Sequence, residues 1–79
     1  NLYGIFIPRE IDGTRGKVVF KAAHRNPSAT IYWYIDQTYQ GLTRHEHQIA
    51  ARPKPGRHTL TLTDQKGNST SASFKVVVE

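Results

Sequence analysis

In the stretch TIYWYID, residues 30–36, Ile31, Trp33 and Ile35 fall at alternate positions, with Tyr32 and Tyr34 between them. A period of two puts the first three side chains on one side of an extended strand and the tyrosines on the other. The same rhythm recurs along the whole chain, and no segment carries a helical period. Val18, Phe20 and Ala22 alternate against Lys17 and Lys21, Leu60 and Leu62 against Thr59, Thr61 and Thr63. Near the end, Ala72, Phe74, Val76 and Val78 share one face. This alternation leaves the chain few options other than a sheet protein with one buried face per strand.

The strands expected are residues 3–7, stopped at Pro8, then 17–24, 30–36, a short edge strand over 38–43, 45–51, 57–64 and 69–79. Between them lie turn-forming stretches. REIDGTRG has Asp12-Gly13 and Gly16 as turn signals, and RNPSA is a loop. RPKPG carries prolines that cannot join a ladder interior. DQKGN is a short hairpin turn with Gly67 at the position of positive φ. Seven short strands at spacings of about 8–12 residues predict an all-β, immunoglobulin-like β-sandwich. At 79 residues the chain is one domain, 1–79. A domain of this size buries only ~60% of the surface its unfolded form exposes, so inward positions go to packing. Trp33, flanked by Ile31 and Ile35, is placed at the centre of that core.

Composition removes several functional classes. With no cysteine there are no disulfides and no thiol chemistry. No apolar run approaches the ~18 residues of a membrane span, so direct membrane insertion is not expected. The chain lacks methionine and starts at Asn1 without a charged, then apolar, leader, so it reads as cut from a longer protein. The net charge of +5 suits an anionic partner. The charges are spread in ones and twos, however, and a solubilising surface is the simpler reading.

No constellation of side chains argues for catalysis, a metal or a cofactor. His45 and His47 stand two apart, on one face of the expected strand, but a third ligand has no obvious source and no thiolate is available. His58 shares its face with Leu60 and Leu62 and is expected to cap the core edge through a hydrogen bond. A nucleic-acid barrel stacks bases on strand aromatics, but here the strongest stacking residue, Trp33, points inward. No nucleic-acid role is expected. The remaining classes are a protein- or glycan-binding module and a purely structural domain.

Read in order, Trp33, Gly41, Pro53 to Gly56, His58, Leu60, Leu62, Asp64 and Gly67 resemble the C-terminal module of bifunctional penicillin-binding proteins of the 1C kind. That pattern is a Trp-bearing strand, a hairpin ending in Gly, a Pro-rich loop, then Gly-x-His-x-Leu-x-Leu-x-Asp and a Gly turn. Pro8, Asp12 and Gly13 resemble its start. The chain departs from the pattern after the Trp strand, where Asp36-Gln37-Thr38 replaces the favoured Asp-Gly. Without Gly a two-residue primed turn is disfavoured, so a longer turn is expected and the register of Tyr39 stays open.

The resemblance implies a longer enzyme with peptidoglycan glycosyltransferase and D,D-transpeptidase domains, held on the periplasmic side of the bacterial inner membrane by its other segments. This chain is then its accessory, docking onto the transpeptidase domain, an envelope protein, or peptidoglycan itself. In an immunoglobulin-like order the strand at 57–63 lies between the Trp strand and the last one. Its outer face would carry Tyr32 and Tyr34 beside Arg57, Thr59 and Thr61, followed by Ser71, Ser73 and Lys75. Such a face suits a sugar chain or a polar protein surface. The simpler alternative is that the tyrosines cover threonines in cross-strand pairs, each contributing ~0.2–1 kcal/mol.

The transpeptidase nucleophile is a Ser with Lys three positions on. Here Ser28, Ser69, Ser71 and Ser73 are followed at that spacing by Ile31, Ala72, Phe74 and Val76. A labelled β-lactam should therefore leave the domain unmodified, as read by intact-mass spectrometry. Covalent label on any of the four serines would overturn the accessory reading.

Overall fold

The computed structural model describes residues 2–6, 10–12, 17–24 and 26–77. The expected stop at Pro8, the turn glycines Gly13 and Gly16, and the inward Val78 lie outside the described residues. Eight strands form two sheets: β1 (Leu2–Phe6), β2 (Glu10–Asp12), β3 (Val18–His24), β4 (Thr30–Ile35), β5 (Thr38–Arg44), β6 (Gln48–Ala51), β7 (Gly56–Asp64) and β8 (Ser69–Val77). One sheet runs β1-β3-β6 and the other β2-β8-β7-β4-β5. The all-β sandwich follows from the period-two alternation, and β7 lies between β4 and β8 as an immunoglobulin-like order requires.

The inner faces meet at Phe20, Ile31, Trp33, Ile35, Leu60, Leu62, Phe74 and Val76, with Val18, Ala22, Ile49 and Ala51 packed around them. Trp33 is fully buried. Its indole N–H donates to Thr43 Oγ1 at 2.8 Å, so the polar edge of the largest core residue is not left unpaired. Phe20 and Phe74 cross between the sheets as a tilted pair with centroids 5.1 Å apart.

Three expectations need correction. A turn was expected across residues 9–16, but Glu10–Asp12 form an eighth strand. It runs parallel to β8 and pairs Ile11 with Val76, covering the edge that β8 would otherwise leave open. The strand expected from residue 45 begins at Gln48, because the chain crosses between sheets at residues 45–47. His45 takes φ of 65° there, and the Glu46 N–H donates to the Arg44 carbonyl at 2.7 Å. The third correction concerns the β4–β5 connection. It is a two-residue turn: Ile35 pairs with Thr38, and Asp36 and Gln37 take φ of 49° and 70°.

A primed hairpin turn demands positive φ at both central residues, and that normally calls for Gly. Here the strained conformation is held by β7. The Asp36 N–H donates to the Thr59 carbonyl at 2.9 Å, and the Thr59 N–H donates back to Asp36 Oδ1 at 2.9 Å. The side-chain carboxylate thus continues the β4–β7 ladder at the point where the backbone turns away.

The opposite end of the sandwich is fastened by the buried Asp64. Its carboxylate accepts from the backbone N–H groups of Lys66 and Asn68, from the Asn68 side-chain amide and from His24 Nε2, each at 2.9 Å. His24 foremost, with Asn68 and Lys66, holds this carboxyl well below the usual range. Gly67, with φ of 87°, completes the β7–β8 hairpin by donating to the Asp64 carbonyl.

Truncating Trp33 leaves a cavity at the sandwich centre and strips the Thr43 hydroxyl of its donor. Trp33→Ala should cost ~3–5 kcal/mol, about the whole stability of a domain this small. The variant should be largely unfolded by circular dichroism at 25 °C. A melting curve like the parent's would contradict this core.

Candidate functional site

The outer face of the five-stranded sheet is built row by row from the ladder registers. Tyr32 stands between Leu42 on β5 and Thr63 on β7. Tyr34 stands between Tyr39 and Thr61, and Thr61 in turn faces Ser71 on β8. Thr59 faces Ser73, and Arg57 faces Lys75. The structure therefore brings together all six residues expected on this face: Tyr32, Tyr34, Arg57, Thr59, Thr61 and Lys75.

Within the face, apolar and polar areas separate. Tyr34 and Tyr39 form a tilted ring pair with centroids 5.6 Å apart. Tyr32 and Tyr34 are half-buried, whereas Tyr39 and Leu42 are 52% and 46% exposed. The aromatic and apolar side chains of this face most open to a partner are thus on β5, not on the Trp strand. Strand parity would send residues 39 and 42 to opposite faces. A bulge opposite Trp33 and Tyr34 inserts one extra residue, Gln40, and returns both to the same side. Gly41, at φ of 132°, occupies the bulge, and a Cβ there would touch Ile49 Cδ1 at 3.8 Å.

Beside the aromatic quarter runs a double file of hydroxyls, Thr59, Thr61 and Thr63 against Ser73, Ser71 and Ser69. Thr61 and Ser71 bond to each other at 3.1 Å. Three shallow open depressions lie along these strands. One is lined by Asp36, Gln37, Thr59, Thr61 and Ser71, a second by Asp36, Arg57, His58, Thr59 and Ser73, and a third by Arg57, Ser73, Phe74 and Lys75.

Asp36 sits between the first two depressions and was not foreseen as part of the face. His58 supports it from behind. Its Nδ1 faces Asp36 Oδ2 at 2.5 Å and its Nε2 faces the Lys54 carbonyl at 2.6 Å, while the ring stacks on Phe74 with centroids 5.3 Å apart. The expectation that His58 closes the core edge through a hydrogen bond thus holds, with Asp36 and Lys54 as partners. The Asp36 bond, then the Lys54 bond, raises the His58 pKa above the ordinary imidazole value. His58 in turn, with the Thr59 N–H, lowers that of Asp36.

The face offers aromatic, hydroxyl and cationic contacts. Ser73 lines the same depression as His58 and Asp36, but both His58 nitrogens are engaged and neither is free to take a serine proton. His47 is bonded through Nδ1 to Thr43 Oγ1 at 2.8 Å, and burial lowers its pKa, with the charges of His24 and His45 adding to the effect. No three His, Cys, Asp or Glu side chains converge as a metal site among the described residues.

A family model described as the Penicillin-Binding Protein C-terminus Family matches residues 4–76. Among solved structures, the fibronectin(III)-like modules of Clostridium thermocellum CbhA superpose with a TM-score of 0.69 at 13% identity. That match covers 96% of this chain and 94% of the other, and at such low identity it establishes the fold. No curated protein matches the chain.

The left-handed turn at the head of the face carries a measurable cost. A non-Gly residue in this region is disfavoured by ~1–2 kcal/mol, part of which Gly gives back as chain entropy. Gln37 is exposed, with no side-chain bond among the described residues to lose. Gln37→Gly should therefore raise stability by about 0.5–1 kcal/mol in urea unfolding. A loss of stability would mean that the turn is not of the primed type.

Proposed function

Because this chain belongs to the Penicillin-Binding Protein C-terminus Family, we propose that it is a non-catalytic accessory module that docks through the outer face of its five-stranded sheet. The observation that carries the reading is the contiguity of that face. Tyr32, Tyr34, Tyr39 and Leu42 adjoin six hydroxyls, with Arg57 and Lys75 at one end. An apolar area bordered by polar and charged side chains suits a protein-recognition surface. Its partners would be the transpeptidase domain of the same enzyme or an envelope protein, on the periplasmic side of the bacterial inner membrane. The enzyme's glycosyltransferase and transpeptidase chemistry lies outside these residues.

A second reading, direct contact with peptidoglycan glycan, has one observation in its favour. The depression lined by Asp36, Gln37, Thr59, Thr61 and Ser71 has only polar residues around it, and Thr61 is the cross-strand partner of Tyr34. Hydroxyl donors and acceptors next to an aromatic face suit a sugar chain.

Immobilised domain offered solubilised envelope proteins in one arm and purified peptidoglycan in another separates the two readings. Tyr32→Ser with Tyr34→Ser should abolish capture while the fold survives, since the cross-strand pairs lost contribute ~0.2–1 kcal/mol each. Salt should weaken capture only modestly, because few charges are engaged. Undiminished capture by the folded double variant would move the site elsewhere and leave the tyrosines as packing.

A further inference from the structure

Three of the chain's four histidines make ring hydrogen bonds among the described residues, and they divide cleanly. His24 Nε2 donates to Asp64 while its Nδ1 accepts the Asn26 backbone N–H at 3.0 Å, so the neutral ring satisfies both bonds. Thr43 Oγ1 accepts the Trp33 N–H and keeps both its own proton and a second lone pair, so a neutral His47 in either tautomer pairs with it. His58 is different. Its two nitrogens face a carboxylate and a carbonyl, neither of which can donate. Only the imidazolium form offers two N–H groups.

We propose that His58 is a latch whose second proton ties the Pro-rich crossover between β6 and β7 to the rim of the docking face. In the closed state it joins three separate pieces: the β4–β5 turn through Asp36, the crossover through the Lys54 carbonyl, and β8 through the Phe74 ring. Phe74 lies within the ~6 Å over which an aromatic face stabilises a cation. When one proton leaves, the remaining N–H stays with the carboxylate, the stronger acceptor. Nε2 then presents a lone pair to the Lys54 oxygen, and two acceptors 2.6 Å apart must separate. Residues 52–55 are outside any strand. They therefore yield first, and the depression lined by Asp36, Arg57, His58, Thr59 and Ser73 changes with them.

The charged groups around the ring set the direction. Asp36 from the β4–β5 turn favours the imidazolium. Arg57 on its own strand and its partner Lys75 on β8 alternate to the outer face, Lys54 belongs to the crossover, and Glu10 of β2 occupies the register position beside Lys75. With a folded pKa above that of the unfolded chain, His58 contributes fully below the unfolded value of about 6.5. The contribution is lost as pH rises through the folded value. Asp36, shifted the other way, contributes above about 3.9 and loses its share as pH falls through its folded value. The latch is therefore closed under mildly acid conditions and opens toward alkaline pH.

The consequence for binding rests on the docking reading, but the latch itself is tested on the free domain. Long-range proton–nitrogen NMR should find both His58 ring nitrogens protonated at pH 6. Its midpoint should lie above that of an ordinary histidine, and the Lys54 carbonyl-carbon and Gly56 amide shifts should follow the same curve. Asp36→Asn should lower that midpoint to the ordinary value or below. An unprotonated ring nitrogen at pH 6, or a Lys54 carbonyl that does not follow His58, would overturn the latch. Envelope extract and purified peptidoglycan are then offered at pH 6 and pH 9. Capture should fall at least threefold at the higher pH, and His58→Gln, which has one amide in place of two N–H groups, should lose the difference. Capture equal at both pH values while His58 titrates as stated would separate the latch from the face and refute its regulatory part. No capture at either pH, with the titration intact, would count against the docking reading alone.

Discussion

Everything in this sandwich is arranged around the need to bury one indole completely. Trp33 has no solvent exposure, and it is the largest of the fully buried side chains. Its N–H must therefore be met inside the protein, because an unpaired buried donor costs ~1–3 kcal/mol. Thr43 on the neighbouring strand meets it, and His47 Nδ1, in the crossing to the other sheet, pairs with the same hydroxyl. One buried ring thereby ties together the β4–β5 register and the side chain at the end of the crossing, next to β6. The bulge at Gln40 and Gly41 is part of the same arrangement, since Gly41 lies directly across from Trp33.

Two Asp–His pairs then hold the ends, in different ways. At the β7–β8 end Asp64 is buried, has four donors, and is paired with a histidine that needs only one proton. A carboxylate so fully satisfied acts as a permanent fixture. At the β4–β5 end Asp36 is about half exposed and shares its histidine with a backbone carbonyl. The first pair belongs to the fold. The second supports a turn that local preference disfavours, and it sits at the rim of the face through which the module is proposed to act. A domain with so little stability in hand can tolerate strain at one turn only because a rigid neighbouring strand holds it there.

The functional reading joins these levels. Family membership and the immunoglobulin-like fold describe a C-terminal module of a penicillin-binding protein, and in the folded chain His24, His47 and His58 are each bonded to neighbours. What remains distinctive is a surface. It is aromatic on β4 and β5, hydroxylated on β7 and β8, and cationic at one end. Its outline depends on a bulge and on one left-handed turn.

Much of this was legible in the chain itself. Period-two alternation identifies Trp33, Ile31, Ile35, Leu60, Leu62, Phe74 and Phe20 as core, because a one-residue error would expose the whole set. The same parity assigns Tyr32, Tyr34, Thr59 and Thr61 to the opposite face. It could not reveal Tyr39 and Leu42 as their neighbours, since a bulge shifts parity and leaves no residue pattern of its own. Nor could it reveal the two-residue turn, because Asp36-Gln37 is a poor primed turn by local preference. Its stability comes from Thr59 and His58, 23 and 22 residues away. The eighth strand was hidden for a similar reason: Glu10–Asp12 pairs with an edge at the far end of the chain. Local alternation determined which residues are inside and which are out. Only the tertiary structure decided how the strand ends turn and where the outer face is complete, because those features are held by partners distant in sequence.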